Sequence, residues 1–178
     1  MKRRRGYLLL ESVISLSIIM ILISLLYYLL FFCIDIKTNT EDKIELQQQA
    51  SEMSRYIEEI IGNSKGIMSI NYKEKNNEFV EVTSIKCKYR DEGIKDNNIK
   101  NKEISLKKDK NKLFINTLNS VGNSESGGYE IGDYVDNMYV SIYENGNFIK
   151  LKLKLSKNEQ SYENEFDVYI RNFNGESI

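Results

Sequence analysis

The chain has 178 residues, a formal net charge of −1, 29% charged residues, and no histidine, proline or tryptophan. Without histidine it lacks the commonest general base and the commonest zinc ligand. Its two cysteines, Cys33 and Cys87, have neither metal-site nor redox-pair spacing. It also has no Gly-rich phosphate loop, calcium loop or G-x-S-x-G elbow. An enzyme is therefore the weakest functional class, and neither cofactor nor metal is expected.

The amino end reads Lys2-Arg3-Arg4-Arg5-Gly6-Tyr7-Leu8-Leu9-Leu10-Glu11, followed by 23 uncharged residues, 12–34. As a helix this run is about 34 Å long at about 1.5 Å per residue, enough to cross a hydrocarbon core of about 30 Å. A cleavable secretory signal has an apolar region of only about 7–15 residues and then a small-residue site. Here the run ends in Leu30-Phe31-Phe32-Cys33-Ile34, and the two phenylalanines also argue against lipidation of Cys33. By the positive-inside rule the cations Lys2, Arg3, Arg4 and Arg5 hold the leader in the cytoplasm and place everything after Ile34 outside. Glu11 then lies among apolar residues, where an ionised carboxylate costs about 2.5–3.5 kcal/mol on insertion scales. Either it snorkels to the headgroups or it finds a cation at its own depth. A new amino terminus at Tyr7, made by cutting after Gly6, would be such a cation.

Gly6-Tyr7-Leu8-Leu9-Leu10-Glu11 behind a Lys/Arg leader resembles the class III signal of type IV prepilins and pseudopilins. The resemblance implies that a prepilin peptidase cuts between Gly6 and Tyr7, that Tyr7 is then N-methylated, and that Glu11 serves assembly. It implies as partners the peptidase, other pilin or minor pilin subunits, the inner-membrane assembly platform and membrane lipid. The implied location is a single-pass cell-membrane protein that later joins a surface pilus or pseudopilus. Two departures stand out: Tyr7 replaces the usual Phe or Met, and residues 7–61 contain neither proline nor glycine to kink the helix.

Loss of residues 1–6 would move the side-chain balance from −1 to −5. Residues 86–112 hold ten basic and five acidic side chains, whereas residues 113–178 hold five basic and ten acidic. The basic stretch is read as a solvated strand and loop in preference to a phosphate-binding surface, and no nucleic-acid partner is expected.

Beyond the span, Leu46, Ala50, Met53, Ile57 and Ile60 recur at helical spacing and predict an amphipathic helix with one buried face. Arg55 is placed to pair with Glu59, and Gly62-Asn63 to cap the end. A break near Thr38-Asn39-Thr40 is possible, because these are poor helix formers. After Gly62 the period becomes two. Ile85, Cys87 and Tyr89 alternate with basic residues, and runs 103–108 and 112–118 flank a turn at 109–111. Near the end, run 137–144 leads through Asn145-Gly146 to a strand with Ile149, Leu151, Leu153 and Leu155 on one face, then to run 163–171. The lysines of the middle strand should meet Glu165 and Asp167 on one side and Tyr139 and Tyr143 on the other. Loops 90–102 and 119–128 are expected to be exposed.

The organisation expected is a leader (1–6), a transmembrane and assembly helix (7–34), an amphipathic helix continuing into the head (35–62) and a β-rich head (63–178). The fold class is α+β, one long helix packed on an antiparallel sheet. In outline, down to Ile170-Arg171-Asn172, this resembles W-type minor pilins and J-type minor pseudopilins. The resemblance implies a minor pilin that initiates or tips a filament, or else a pseudopilin of a secretion or competence system. A single-pass membrane-anchored binding domain, in which the amino-terminal motif is coincidental, is the reading from a different class. Heteromeric contacts are expected through the exposed side of helix 37–61 and the edges of the sheet.

Overall fold

The computed structural model describes residues 3–72, 79–89, 100–119, 121–142 and 147–173. It contains one helix, α1 (Arg3–Gly62), and an antiparallel sheet built from β1 (Gly66–Tyr72), β2 (Val80–Lys88), β3 (Lys102–Lys107), β4 (Lys112–Thr117), β5 (Tyr129–Gly132), β6 (Val135–Ile142), β7 (Phe148–Lys157) and β8 (Gln160–Tyr169). The chain divides into two compact units, residues 1–41 and 42–178. The first is helical throughout its described residues; the second combines the rest of α1 with the sheet. The α+β class is as the pattern predicted.

Residues 38–40, where a break was considered, are helical. Thr38 and Thr40 donate their hydroxyls to the carbonyls of Ile34 and Ile36, at 3.1 and 2.7 Å. Bonding back to the preceding turn lets these poor helix formers stay within it.

The sheet runs in the order β5-β4-β3-β2-β6-β7-β8, with β1 also paired to β2. The β3–β4 hairpin and the β6–β7–β8 meander lie where alternation placed them, within a few residues. The Asn145-Gly146 turn and Tyr143 fall outside the described residues, as does most of loop 90–102. Two strands were not anticipated. In β1 a register shift between Ile67 and Ser69 destroys the period of two, and β5 is only four residues long with a shift in its pairing to β4.

The core forms where α1 meets the inner face of the sheet. Leu46, Ala50, Met53, Ile57, Ile60 and Ile61 are buried against Val82, Ile85, Ile104, Leu113, Met138 and the alternating Ile149, Leu151, Leu153 and Leu155. Ile142 shares the parity of Met138 and Val140, which predicts it on that face of run 137–144, but it is exposed at the end of β6. Met53 packs so closely on β5 that a Cβ at Gly132 would lie 2.3 Å from its sulfur. Cys87 is a buried strand residue, and burial pushes its thiol up to about 12, which makes it unreactive.

A helix end leaves carbonyls without intrahelical donors, and here they are met one by one. Asn63 N–H donates to Glu59 O at 3.2 Å, and Ser64 hydroxyl to Ile61 O at 2.6 Å. The Tyr89 hydroxyl reaches Ile60 O, and Arg171 N–H reaches Gly62 O at 3.0 Å. Half of the cap is therefore tertiary. Gly62 is the last helical residue and has no positive φ; a Cβ there would sit 3.4 Å from the Tyr169 carbonyl.

Replacing Ala50 or Ile57 by Asp should unfold the second unit, since each places an unpaired charge in the core at a cost of several kcal/mol. Thermal melts followed by circular dichroism check this, and a variant melting like the parent would show that the stripe does not carry the core.

Candidate functional site

The amino-terminal motif lies within α1. Lys2 is outside the described residues, Arg3, Arg4, Arg5 and Gly6 are helical in backbone, and Tyr7 and Glu11 follow on the helix. Four residues apart, Tyr7 and Glu11 share a face, about 6 Å apart along the axis. Both are exposed, as is every large apolar side chain from Leu8 to Ile36. A helix apolar on all sides needs a non-aqueous surrounding or other helices. α1 is long and apolar enough, by length and composition, to cross a membrane. Within it, Ser12 and Ser17 donate their hydroxyls to the carbonyls of Leu9 and Val13, both at 2.9 Å, so they present no unmet donor to an apolar medium. Among the described residues, no side chain hydrogen-bonds or ion-pairs with Glu11.

In the head, the basic stretch is engaged locally. Lys86 donates to Gly122 O at 2.9 Å, Lys100 pairs with Glu125 at 2.7 Å, and Lys108 pairs with Glu81. Lys112 bridges Glu130 and Asp133 at 2.7 and 3.0 Å. Lys102 and Lys107 lie over the rings of Tyr89 and Phe114, at 5.1 and 4.4 Å. Arg55, expected to pair with Glu59, lies over the Tyr56 ring instead. Loop 119–128 is mostly exposed, yet Asn119 Oδ1 accepts from the N–H groups of Val121 and Asn123, and Ser124 bonds to Glu103.

The lysine row of β7 pairs across to β8 on the diagonal. Lys150 faces Asp167 in register but bonds Glu165 at 2.6 Å; Lys152 faces Glu165 but bonds Glu163 at 2.6 Å. Glu163 thus takes the role expected of Asp167, because long side chains reach diagonal neighbours as readily as direct ones. Lys152 stands opposite Tyr139 on the other side.

One cluster escaped sequence reasoning. Lys157 Nζ lies 2.9 Å from Asp42 Oδ1 and 2.5 Å from Glu45 Oε2, with Tyr134 beneath it at 5.3 Å. Asn158 Nδ2 donates to Asp42 Oδ2 at 2.7 Å. Lys157-Asn158-Glu159 is legible as a turn between two alternating runs, and Asn158 takes the positive φ of 52° that such a turn requires. No local pattern says that the turn clamps α1. Among the described residues no cluster of His, Cys, Asp and Glu could hold a metal ion.

The chain matches no protein-family model, no curated protein and no solved structure.

Hydrogen bonds from Lys157 and then Asn158 hold the Asp42 carboxyl below its ordinary range, and bonds to Glu45 and Asp42 hold Lys157 above its own. The acid's contribution is complete above its unfolded value of about 4 and is lost as pH falls through the folded one. The lysine's contribution is complete below about 10.4 and is lost as pH rises beyond it. Lys157→Met should therefore lower the Tm at pH 7, and its deficit against the parent should shrink as pH falls below about 4. Melts across pH 2–7 check this; a deficit independent of pH would show that packing alone was lost.

Proposed function

We propose that this chain is a minor pilin, a non-enzymatic structural subunit that initiates or tips a type IV pilus filament after processing by a prepilin peptidase. The observation that carries the reading is Tyr7 and Glu11 one turn apart at the start of a helical run whose residues 12–34 are uncharged and largely apolar, directly behind Gly6 and a basic leader. A helix packed on an antiparallel sheet beyond that segment is compatible with the same reading.

The physical logic runs through Glu11. A cut after Gly6 removes four cations and creates an ammonium at Tyr7, within one turn of the carboxylate. Cation and anion then neutralise each other, within one chain or between neighbours, in a medium where neither is tolerated alone. The membrane holds the subunit until assembly, when neighbouring helices take the place of lipid around the segment from Leu8 to Ile36. The partners in this reading are the peptidase, other pilin subunits, the assembly platform and lipid.

Mass spectrometry of the chain from a host with a prepilin peptidase should show an N-methylated amino terminus at Tyr7. Gly6→Val should block cutting through its β-branched side chain, whereas Lys2→Ala should have little effect. An intact leader in that host would leave a membrane-tethered binding domain in place of a filament subunit.

Glu11→Gln should keep membrane insertion and the melting temperature of the head but reduce recovery in sheared filaments by about tenfold or more, the scale of a lost low-dielectric ion pair. Incorporation at the parental level would show that the carboxylate only snorkels.

A further inference from the structure

The two ends of the sheet are built in opposite ways. At one end β5 has four residues and a shifted register, a form that resists further pairing. At the other, β8 has ten residues in unbroken register with β7 and no charged side chain on its inner face. The phase of its backbone follows from the Ile170 N–H, which donates to Asn147 O at 2.9 Å. In an antiparallel pair the hydrogen-bonded residues alternate. Even-numbered residues of β8 therefore bond to β7, and the N–H and C=O groups of Ser161, Glu163, Glu165 and Asp167 point away from it. Among the described residues nothing pairs with those groups. Beyond Asp167 the edge closes, since the Tyr169 carbonyl lies against Gly62 and Arg171 N–H bonds to Gly62 O.

Both faces beside this open edge are unfinished. On the inner side, half-buried Tyr162, Asn164 and Phe166 share a groove of about 390 Å³ with Ser51, Arg55 and Glu58 of α1. On the outer side Glu163 and Glu165 pair with β7 lysines, whereas Asp167 has no ion pair among the described residues. The outer face of the edge is thus a column of three carboxylates, with cations on the β7 side alone. A second copy of β8 laid against it would set acid against acid, which disfavours self-pairing.

We propose that β8 is a strand-addition site for an extended segment of a partner protein, in which Lys or Arg alternates with apolar residues. The added backbone takes up the amides and carbonyls of residues 161–167. Its cations meet the outer carboxylates and extend the alternation of charge that β7 begins. Its apolar side chains lie over the rings of Tyr162 and Phe166. Backbone pairing supplies affinity, and the alternate side chains supply selectivity. This inference rests on the sheet alone and does not require the filament reading.

The probe is a capped ten-residue peptide with the sequence of residues 148–157, titrated against the full chain in zwitterionic micelles, with empty micelles as the blank. Its counterpart has every lysine replaced by glutamate. The cationic peptide should bind saturably and slow hydrogen exchange at the amides of Ser161, Glu163, Glu165 and Asp167, while the anionic peptide should do neither. Asp167→Lys should weaken binding about fivefold and lower the Tm only slightly, since it sets a lysine opposite Lys150 on an exposed face. The proposal is overturned if both peptides bind alike, if protection falls elsewhere, if Asp167→Lys has no effect, or if those four amides already exchange slowly in the free chain.

Discussion

The seating of Leu46, Ala50, Met53 and Ile57 on the sheet is the contact from which the head's other features follow. Leu46, Met53 and Ile57 each contribute about 1.5–3 kcal/mol on burial, against backbone and side-chain entropy of similar size summed over the domain. Because the stripe is covered by one face of one sheet, β7 and β8 inherit a parity: apolar residues inward, charges outward. The helix end inherits its cap from the same contact, since Tyr89 and Arg171 reach the last carbonyls of α1 only when the sheet is in place. Gly132 is small for the same reason, standing where Met53 fills the space a side chain would need.

That parity explains what could be read from the sequence. Ile149 to Leu155 alternate without interruption because both neighbours of β7 pair over most of its length, so one register governs the whole strand. The stripe on α1 was legible because a 3.6-residue period survives in any stretch of helix with one buried face. β1 and β5 were not legible, since a bulge in one and brevity in the other remove the period on which recognition depends. The Lys157 clamp was invisible for a different reason. Its residues lie more than a hundred positions apart, and local pattern carries no information about which turn meets which helix. At the amino end, Gly6, Tyr7 and Glu11 stood out by their chemistry, and the structure adds that the last two share a helical face.

The two units of the chain solve the problem of apolar surface differently. In residues 42–178 most of it is buried within the chain; in residues 1–41 it is exposed on every side of a helix in which Ser12 and Ser17 bond back to the preceding turn. Such a helix is stable in lipid or among like helices and poorly soluble in water, so its surroundings determine its state. A charge within it acts as a register mark, because it can be neutralised at only a few relative heights. Under the proposed function, Glu11 would therefore fix how far one subunit rises past the next, whereas the apolar residues around it would permit many heights.

Charge in the head is used with similar economy. Most of the described lysines of the basic stretch, and those of the β7 row, are spent on carboxylates, carbonyls or rings of the same chain, so a positive count in the sequence does not become a positive surface. The columns of charge across β7 and β8 instead act as a code for strand order: lysine then acid, with acid outermost. A sheet patterned in this way favours a cationic neighbour and opposes its own copy, and it does so through pair interactions of only a few tenths of a kcal/mol each. The backbone groups of residues 161–167 would supply most of the attraction, and the charge column would decide which strands can use it.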